Sequence, residues 1–369
     1  MATLASETEI GRRPAGPTAA VAAVRCAVRD SLAGLDAAAL VLIACSGGAD
    51  SVALAAAAAF EGPRLGLRVG GVTVNHGLQE GSASRATAVA ALLTGLGLEP
   101  VEVETVDVAA HHGGPEAAAR AARYGALDGV ADRLGAAAVL VGHTLDDQAE
   151  TVLLGLARGS GTRSLAGMSA VSGSPASAKC WAGSYRRPLL AVERAVTRAA
   201  CADLGLPVWD DPQNGDPAFA RVRVRTDVLP VLEAALGPGT AAALARTAEL
   251  ARDDADALDQ WAATSYAAVA DADGSLDVGA LEQLVPAIRR RVLRLASLRA
   301  GIAAGSLAAV HLIAIEALVT DWHGQGPVSL PGGHRATRRY GKLYVGTDLH
   351  QTLLVLETAR RGAHPGGSV

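Results

Sequence analysis

Short apolar segments alternate with longer amphipathic segments through the first half of the chain. Apolar, β-branched runs predict buried strands at 39–45, 69–74, 101–108 and 137–141. Helical spacing of apolar residues between them predicts helices at 51–60, 84–96, 116–134 and 144–157. Strands separated by helices of this size form right-handed βαβ crossovers. We therefore predict an α/β fold, a Rossmann-like parallel sheet with helices on both faces.

The pattern changes after a connector at 209–220 that is rich in Asp, Pro, Asn and Gly. Helical periodicity continues at 240–269, 287–299 and 308–320, with no strand pattern between these segments. Two β-like runs around Pro331-Gly332-Gly333 predict a closing hairpin at 326–345. The predicted parts are a flexible tail at 1–20, an α/β domain at 21–218, a smaller, mainly helical domain at 219–350 that ends in the hairpin, and a C-terminal tail at 351–369.

Composition limits the number of domains and the cellular location that the sequence allows. Of the 369 residues 50% are hydrophobic, which is enough material for two domains. The net charge of −4 neither requires nor excludes a nucleic-acid partner, because binding depends on where the arginines lie. The apolar run near the start is broken by Arg25 and is too short for an export signal or a membrane span. We expect a cytoplasmic protein without a membrane partner, and an oligomer is compatible with the sequence.

Four cysteines lie far apart, with no Cys-x-x-Cys pair among them. This spacing argues against a zinc ribbon and against a two-thiol redox centre. We expect reduced, mostly buried thiols at Cys26, Cys45, Cys180 and Cys201.

A small polar turn follows the first predicted strand, and it consists of Ser46, Gly47, Gly48, Ala49, Asp50 and Ser51. Backbone N–H groups and the positive end of a helix dipole converge in such a turn, which suits a phosphate group. It is not a Walker loop, because that motif needs an adjacent lysine and the only lysines are Lys179 and Lys342. The alternative is a tight turn in which Asp50 and Ser51 cap the next helix.

A histidine and two acidic residues follow the fourth predicted strand. His143 ends that strand, at the carboxyl edge of a parallel sheet where ligands bind. Asp147 and Glu150 are three positions apart on the next helix, so they share a face and can hold one cation between them. The same spacing fits a capping box with Thr144 at the N-cap and Asp147 as its partner. Spacing alone does not separate the two interpretations.

The turn at 46–51 resembles the Ser-Gly-Gly-x-Asp-Ser signature of the PP-loop ATP pyrophosphatases, which cleave ATP between the α- and β-phosphates. The resemblance implies that residues 46–51 bind ATP. It also implies that Asp50 acts as a catalytic residue and as a ligand of Mg²⁺ near the pyrophosphate. A divalent cation beside a helix N-terminus would neutralise the charge that builds on the leaving group.

Within that superfamily the chain is similar to the tRNA(Ile)-lysidine synthetases. The matching segments occur in the family's order: Val74-Asn75-His76-Gly77-Leu78, Glu116 with Arg120 and Arg123-Tyr124, the string at 142–151, Arg158-Gly159-Ser160-Gly161, and Asp211-Pro212-Gln213-Asn214 followed by Phe219, Arg221 and Arg225. The resemblance implies that the wobble cytidine of a tRNA(Ile) with a CAU anticodon is adenylated at its C2 oxygen. The ε-amine of free L-lysine then displaces AMP, which gives lysidine.

The same resemblance suggests roles for side chains near the turn. Asp147 and Glu150 offer carboxylates to a cationic group of lysine, and Arg120 can pair with an anion. Which end of lysine each residue meets stays open. His143 either donates to a phosphate oxygen, moves a proton, or has a structural role.

Two groups of arginines are candidates for contact with tRNA. Arg221, Arg223 and Arg225 follow the connector and are expected to contact tRNA phosphates, with the adenylate or the flipped base as the alternative target of Arg221. We therefore expect the domain at 219–350 to contact tRNA. The second group lies on a predicted helix and comprises Arg289, Arg290, Arg291 and Arg294. Its simplest interpretation is that these side chains form a solvent-exposed face of that helix.

The chain departs from the family pattern in two places. Val222 stands where an asparagine is common, and the extended C-terminal module of longer members is not found, so we expect a smaller tRNA surface. A tRNA thiolase of the same superfamily is one alternative, but paired cysteines are lacking. A catalytically silent tRNA-binding protein is the other, and the intact turn and acidic pair argue against it.

Overall fold

The computed structural model describes residues 16–75, 77, 81–107, 115–159, 161–174, 181–211 and 215–347, with the side chains of 115–117 left out. The sequence candidates His76, Cys180 and 212–214, and the side chain of Glu116, lie outside these residues. The chain forms two compact units, Met1–Glu249 and Leu250–Val369.

The helices and strands follow the predicted order. The helices are α1 (Ala19–Leu32), α2 (Ala49–Glu61), α3 (Ser82–Gly95), α4 (Pro115–Arg133), α5 (Leu145–Ala157), α6 (Thr162–Leu165), α7 (Arg194–Asp203), α8 (Ala220–Arg223), α9 (Leu229–Leu236), α10 (Thr240–Val269), α11 (Val278–Gln283), α12 (Pro286–Arg299) and α13 (Ala309–Thr320). The strands are β1 (Leu40–Ala44), β2 (Arg68–Asn75), β3 (Val101–Thr105), β4 (Ala138–Val141), β5 (Val171–Ser172), β6 (Ser184–Arg186), β7 (Leu276–Asp277), β8 (Val328–Ser329), β9 (Arg335–Arg339) and β10 (Lys342–Gly346).

The first unit is built on a six-stranded sheet in the order β3-β2-β1-β4-β6-β5. All its pairs are parallel except β5 with β6. The chain moves from β1 outward to β2 and β3 and then returns to the other side of β1 as β4. This reversal makes the border between β1 and β4 the topological switch point, where sheets of this kind bind ligands.

Both faces of this sheet are covered, as predicted. Val41 and Ile43 of β1 belong to a core that α1, α2, α3 and α7 complete on one face. Leu40 and Leu42 point the other way, into a core with Tyr124 of α4 and with Tyr185. Successive side chains of a strand alternate between faces, so one apolar strand supplies both cores.

Helix α1 was not predicted, and it begins at Ala19, inside the range expected to be a tail. The Thr18 hydroxyl accepts a hydrogen bond from the backbone N–H of Val21, which starts the helix. Val24, Val28 and Leu32 follow at helical spacing and are buried. Arg25, which interrupts the apolar run in sequence, stacks on the ring of Phe60 at 3.5 Å.

The second unit contains helices and a four-stranded antiparallel sheet in the order β7-β10-β9-β8. The tight reversal at Tyr340 and Gly341 joins the longest pair, β9 and β10. The predicted turn at 331–333 instead joins β8 to β9, so the expected hairpin is part of a larger sheet. Sequence analysis missed β7 because a two-residue strand leaves no periodic pattern.

The unit boundary in the structure falls within α10, whereas the sequence division was placed at 218/219. The residues after the connector stay with the first unit because the segment 220–228 contacts α5.

Among the described residues, no single helix is long and apolar enough to cross a membrane. The pair Ala220–Leu236 and Thr240–Val269 passes the length and composition test only when the two are taken together, and it is bent by 99°.

Candidate active site

The turn after β1 has the backbone shape that a phosphate site requires. Gly47 adopts φ of +89°, and a Cβ atom there would lie 2.9 Å from Val89, so only glycine fits. Gly48 is the N-cap of α2 and provides no side chain for its first N–H groups. No side chain caps the start of α2, so its first N–H groups are available to an anion.

Ser51 and Asp50 have different environments within this turn. The buried Ser51 hydroxyl donates to Gly48 O at 2.9 Å and accepts from Ser46 N at 3.2 Å, so it stabilises the turn itself. Asp50 does not cap α2. Its carboxylate accepts a hydrogen bond from Thr197 of α7 and lies 3.6 Å from Arg194 Nε.

Gly142 brings the second motif against the first. A Cβ atom at this position would lie 3.0 Å from the backbone carbon of Asp50 and 3.1 Å from Ser51 N. The end of β4 and the start of α2 therefore touch through their backbones. His143 follows directly, and its Nδ1 is buried without a hydrogen-bond partner.

Asp147 satisfies both interpretations of its spacing. One oxygen, Oδ2, accepts from Thr144 N at 2.8 Å and from Thr144 Oγ1 at 3.0 Å, which is the predicted capping contact. The other oxygen, Oδ1, faces the site and accepts from Arg194 Nη2 at 2.9 Å. The capping contact thus fixes the carboxylate in the position from which it binds a cation.

Arg194 joins the turn to the acidic pair. Its guanidinium lies 2.9 Å from Asp147, 3.3 Å from Glu150 and 3.6 Å from Asp50. Three predicted site residues from two helices therefore lie within reach of one side chain. Arg194 was absent from the sequence candidates, although an arginine at the start of a helix opposes the helix dipole and is a local signal of a special role.

Glu150 is fully buried and binds two further arginines. Arg225 donates to both of its oxygens, at 2.7 and 3.2 Å, and Arg221 Nε lies 3.7 Å away. Arg221 also donates to Thr151 Oγ1 at 3.1 Å. The structure thus brings Arg221 and Arg225 to the acidic helix, each with a partly exposed side chain.

Burial and charge shift the pKa values of these groups in different directions. Burial raises the pKa of Asp50, and the hydrogen bond from Thr197 and the charge of Arg194 offset part of that effect. Burial also acts to raise the pKa of Asp147, but the charge of Arg194 and the hydrogen bonds from Thr144 outweigh it, so this pKa is lowered.

Burial lowers the pKa of His143 to about 3, against the charge of Asp147 and together with the charges of nearby arginines. The imidazole is therefore neutral at neutral pH. A neutral ring has one N–H donor and one acceptor nitrogen, which is compatible with donation to a phosphate and with a structural role.

Arg120 lies on α4. Its guanidinium is 4.7 Å from the ring centroid of Tyr124, and its charge contributes to the lowered pKa of His143. It is exposed and makes no contact with Asp147 or Glu150 within hydrogen-bond distance. The three carboxylates Asp50, Asp147 and Glu150 therefore lie around Arg194, and Arg120 is not part of that group.

The carboxylate at the turn suits a magnesium ion that is held jointly by the protein and by the phosphates of a substrate. Within the described residues, no group of three or more His, Cys, Asp or Glu side chains forms a metal cage. Mg²⁺ is commonly held by one or two carboxylates together with substrate phosphates, and Asp50 offers such a carboxylate. The described cysteines, Cys26, Cys45 and Cys201, are free thiols, as expected.

The second arginine group serves the internal structure of its unit. Arg289 and Arg290 both bind Glu316, at 3.0 and 2.6 Å, and Arg291 binds Asp259 at 2.9 Å. Three of the four predicted members are thus paired with carboxylates.

The fold and this site define the class of the protein. The PP-loop domain family matches residues 24–232, which include the turn, His143 and the acidic pair. The TilS substrate binding domain family matches residues 276–344 of the second unit.

Curated relatives narrow the class to one family. The tRNA(Ile)-lysidine synthase of Streptomyces coelicolor is 58% identical over 356 residues, covering 89% of this chain and 99% of its own length. That of Thermobifida fusca is 56% identical, covering 90% and 99%. That of Salinispora tropica is 57% identical, covering 88% and 95%. The chain belongs to the tRNA(Ile)-lysidine synthase family.

A solved structure supports the fold alone. The U34-tRNA thiolase NcsA from Methanococcus maripaludis, with its 4Fe-4S cluster, superposes with a TM-score of 0.51 at 18% identity. The match covers 63% of this chain and 80% of the thiolase chain.

Proposed function

We propose that this chain is an ATP-dependent ligase that joins the ε-amine of free lysine to C2 of the wobble cytidine in tRNA(Ile) with a CAU anticodon. ATP use follows from the PP-loop domain, and a tRNA substrate follows from the family. The reaction passes through a cytidine adenylated at its C2 oxygen and releases pyrophosphate and then AMP. One observation carries the proposal: the phosphate turn and the acidic pair lie within reach of the single guanidinium of Arg194.

The turn at 46–51 holds the phosphates of ATP. The N–H groups at the start of α2 point toward the ligand, and Gly47 and Gly48 let the backbone approach it. Asp50 would hold Mg²⁺, which supplies charge neutralisation for the leaving pyrophosphate. Its contacts with Thr197 and Arg194 of α7 hold the carboxylate in a fixed position.

Asp147 and Glu150 hold the ammonium group of lysine. The spacing of the two carboxylates accommodates a cationic nitrogen, because Arg194 Nη2 lies 2.9 Å from one and 3.3 Å from the other, and the lysine ammonium would take the place of this nitrogen. Charge-assisted contacts of this kind are strong in a buried site. Arg221 and Arg225 keep the buried Glu150 from being an uncompensated charge, and they contact the adenylate or the tRNA.

The test is mass analysis of the nucleosides of a CAU-anticodon tRNA(Ile) after incubation with ATP, Mg²⁺ and lysine. We expect a cytidine that has gained the mass of condensed lysine, and we expect this product to depend on all three components. Asp50→Ala should abolish it, whereas Asp30→Ala, on the exposed face of α1, should not. A sulfur-containing product, or no product from the wild-type chain, would refute the proposal.

A further inference from the structure

The connector that begins at Trp209 lies directly against the turn at 46–51. The backbone N–H of Trp209 donates a hydrogen bond to Gly47 O at 2.9 Å. A Cβ atom at Gly47 would lie 4.0 Å from Trp209 Cβ, and one at Gly48 would lie 3.9 Å from Trp209 O. Both glycines of the turn are therefore in contact with a single residue that is distant in the chain.

This hydrogen bond acts on the orientation of the peptide group between Gly47 and Gly48. In a trans peptide group the C=O and the following N–H point in opposite directions within one plane. Holding Gly47 O against Trp209 therefore turns the N–H of Gly48 away from Trp209. Gly47 has φ of +89°, and a glycine passes easily between backbone conformations, so an external contact is needed to fix this N–H.

Helix α3 contacts both Trp209 and the turn. The guanidinium of Arg85 lies 3.2 Å from the ring centroid of Trp209, which is the geometry of a cation–π stack. Val89 is one turn further along α3, and its Cγ2 would lie 2.9 Å from a Cβ atom at Gly47. One face of α3 therefore packs against the ring of Trp209 and against the glycine that Trp209 binds.

The stack with Arg85 is a stronger restraint on the start of the connector than the neighbouring ion pair. Arg85 and Trp209 are both partly buried, which limits the screening of their attraction by water. Asp210 pairs with Arg198 at 2.7 Å, but both side chains are more than half exposed, and such pairs contribute little. The position of the Trp209 backbone therefore depends mainly on its ring.

We propose that Trp209 is a positioning residue for ATP and that Arg85 anchors it. Stacking fixes the ring, the ring fixes the backbone N–H, and this N–H orients the peptide group so that Gly48 N–H faces the phosphates. The inference rests on the proposed function of the turn at 46–51 and adds two residues that lie outside the turn. Neither of their side chains has to touch the nucleotide.

The experiment measures by calorimetry how tightly the full chain binds α,β-methylene-ATP with Mg²⁺, in the absence of tRNA and lysine. This analogue cannot be cleaved between its α- and β-phosphates. Trp209→Leu keeps the backbone N–H but loses the aromatic ring, and we expect it to raise the Kd about tenfold. Trp209→Phe keeps a ring for Arg85 and should stay within about twofold of the wild type. In lysidine formation, Trp209→Leu should raise the KM for ATP and leave the KM for lysine unchanged.

Substitutions of Arg85 separate stacking from charge. Arg85→Lys keeps the positive charge but loses the planar guanidinium, and we expect it to raise the Kd about three- to fivefold. Because the two side chains act as one unit, Arg85→Lys combined with Trp209→Leu should raise the Kd no more than Trp209→Leu alone. The matched control is Arg64→Lys. Arg64 stacks on Phe60 at 3.4 Å near the other end of α2, and its replacement should leave the Kd unchanged.

An unchanged Kd in Trp209→Leu would overturn the proposal, as would equal effects of Arg85→Lys and Arg64→Lys. Additive effects in the double variant would also overturn it, because the two side chains would then act separately. If Trp209→Leu fails to fold, Arg85→Lys and its control still decide the question. A wild-type chain that binds the analogue but forms no lysidine would refute the proposed function alone, and one that does not bind the analogue would refute both.

Discussion

Arg194 shows how one side chain can organise a site made of like charges. Asp50, Asp147 and Glu150 would repel one another without a cation among them, and Arg194 contacts all three. Its backbone N–H also donates to Asp146 at 2.8 Å, which fixes the start of α7 against α5. Local sequence pattern locates the acids by their spacing, but it cannot locate a partner 44 residues away in the chain.

We expect Arg194→Gln to destabilise the protein. The change leaves the carboxylates of Asp147 and Glu150 with less compensation, and breaking such a buried pair costs about 2 kcal/mol or more. The free energy of unfolding from urea titration measures this. Arg198→Gln, one turn further along α7, is the matched control. Arg198 pairs with Asp210, and its side chain is 54% exposed, so water already screens this pair. That variant should change stability by less than about 0.5 kcal/mol.

We expect His143 to make stability dependent on pH in the acid range. Its pKa is about 3 in the folded chain, below the ordinary value of 6.5, so the unfolded chain binds the proton first as the pH falls. Stability from this group is complete above about pH 6.5 and is lost toward pH 3, with a slope of at most about 1.4 kcal/mol per pH unit. Unfolding of His143→Gln should show a shallower decline between these values, whereas the exposed His323→Gln should keep the wild-type slope. An identical decline in both variants would contradict this.

Most elements of the first unit could be predicted because the apolar residues of each one repeat with the period of a strand or of a helix. Strands β1 to β4 and helices α2 to α5 match the expected segments within a few residues at their ends, and the predicted helix at 240–269 is α10. The prediction failed where tertiary contacts decide. Helix α1 contains Arg25 and Arg29 within its apolar run, and β7 is too short to show a pattern.

The contact between β4 and α2 can be tested at Gly142. An added methyl group would meet the backbone of Asp50 and Ser51 at 3.0 to 3.1 Å, and a backbone cannot move aside as a side chain can. We expect Gly142→Ala to raise the KM for ATP severalfold, because overpacking of about 1 to 3 kcal/mol shifts the phosphate turn. Gly129→Ala, in α4 with open space around it, should instead stabilise the protein by up to about 1 kcal/mol. An unchanged KM for ATP in Gly142→Ala would show that this contact does not affect nucleotide binding.

On the scale of the whole molecule, the net charge of −4 hides a local concentration of arginine. Arg194, Arg221 and Arg225 come from two separate parts of the first unit and lie against the same carboxylates of α5. Arg221 and Arg225 remain partly exposed there. A polyanion can therefore approach a protein that is acidic in total.

We expect the double substitution Arg221→Ala with Arg225→Ala to weaken tRNA binding and to flatten its dependence on salt. Each lost phosphate contact should reduce the slope of log K against log salt by about 1. Binding titrations at several salt concentrations measure this slope, with Arg133→Ala as the control distant in sequence. A weaker affinity with an unchanged slope would mean that these arginines act through Glu150 and do not contact phosphate.

The sequence by itself determined the α/β order, the glycine-containing turn at 46–51, the acidic pair and the family, because residues close together in the chain specify each of these. Only the tertiary structure decided that Arg194 joins the turn to the acidic pair and that Glu150 is shared among three arginines. Those facts depend on which segments the sheet brings side by side. Pairing between distant segments is set by the packing of the whole first unit, so no local pattern encodes it.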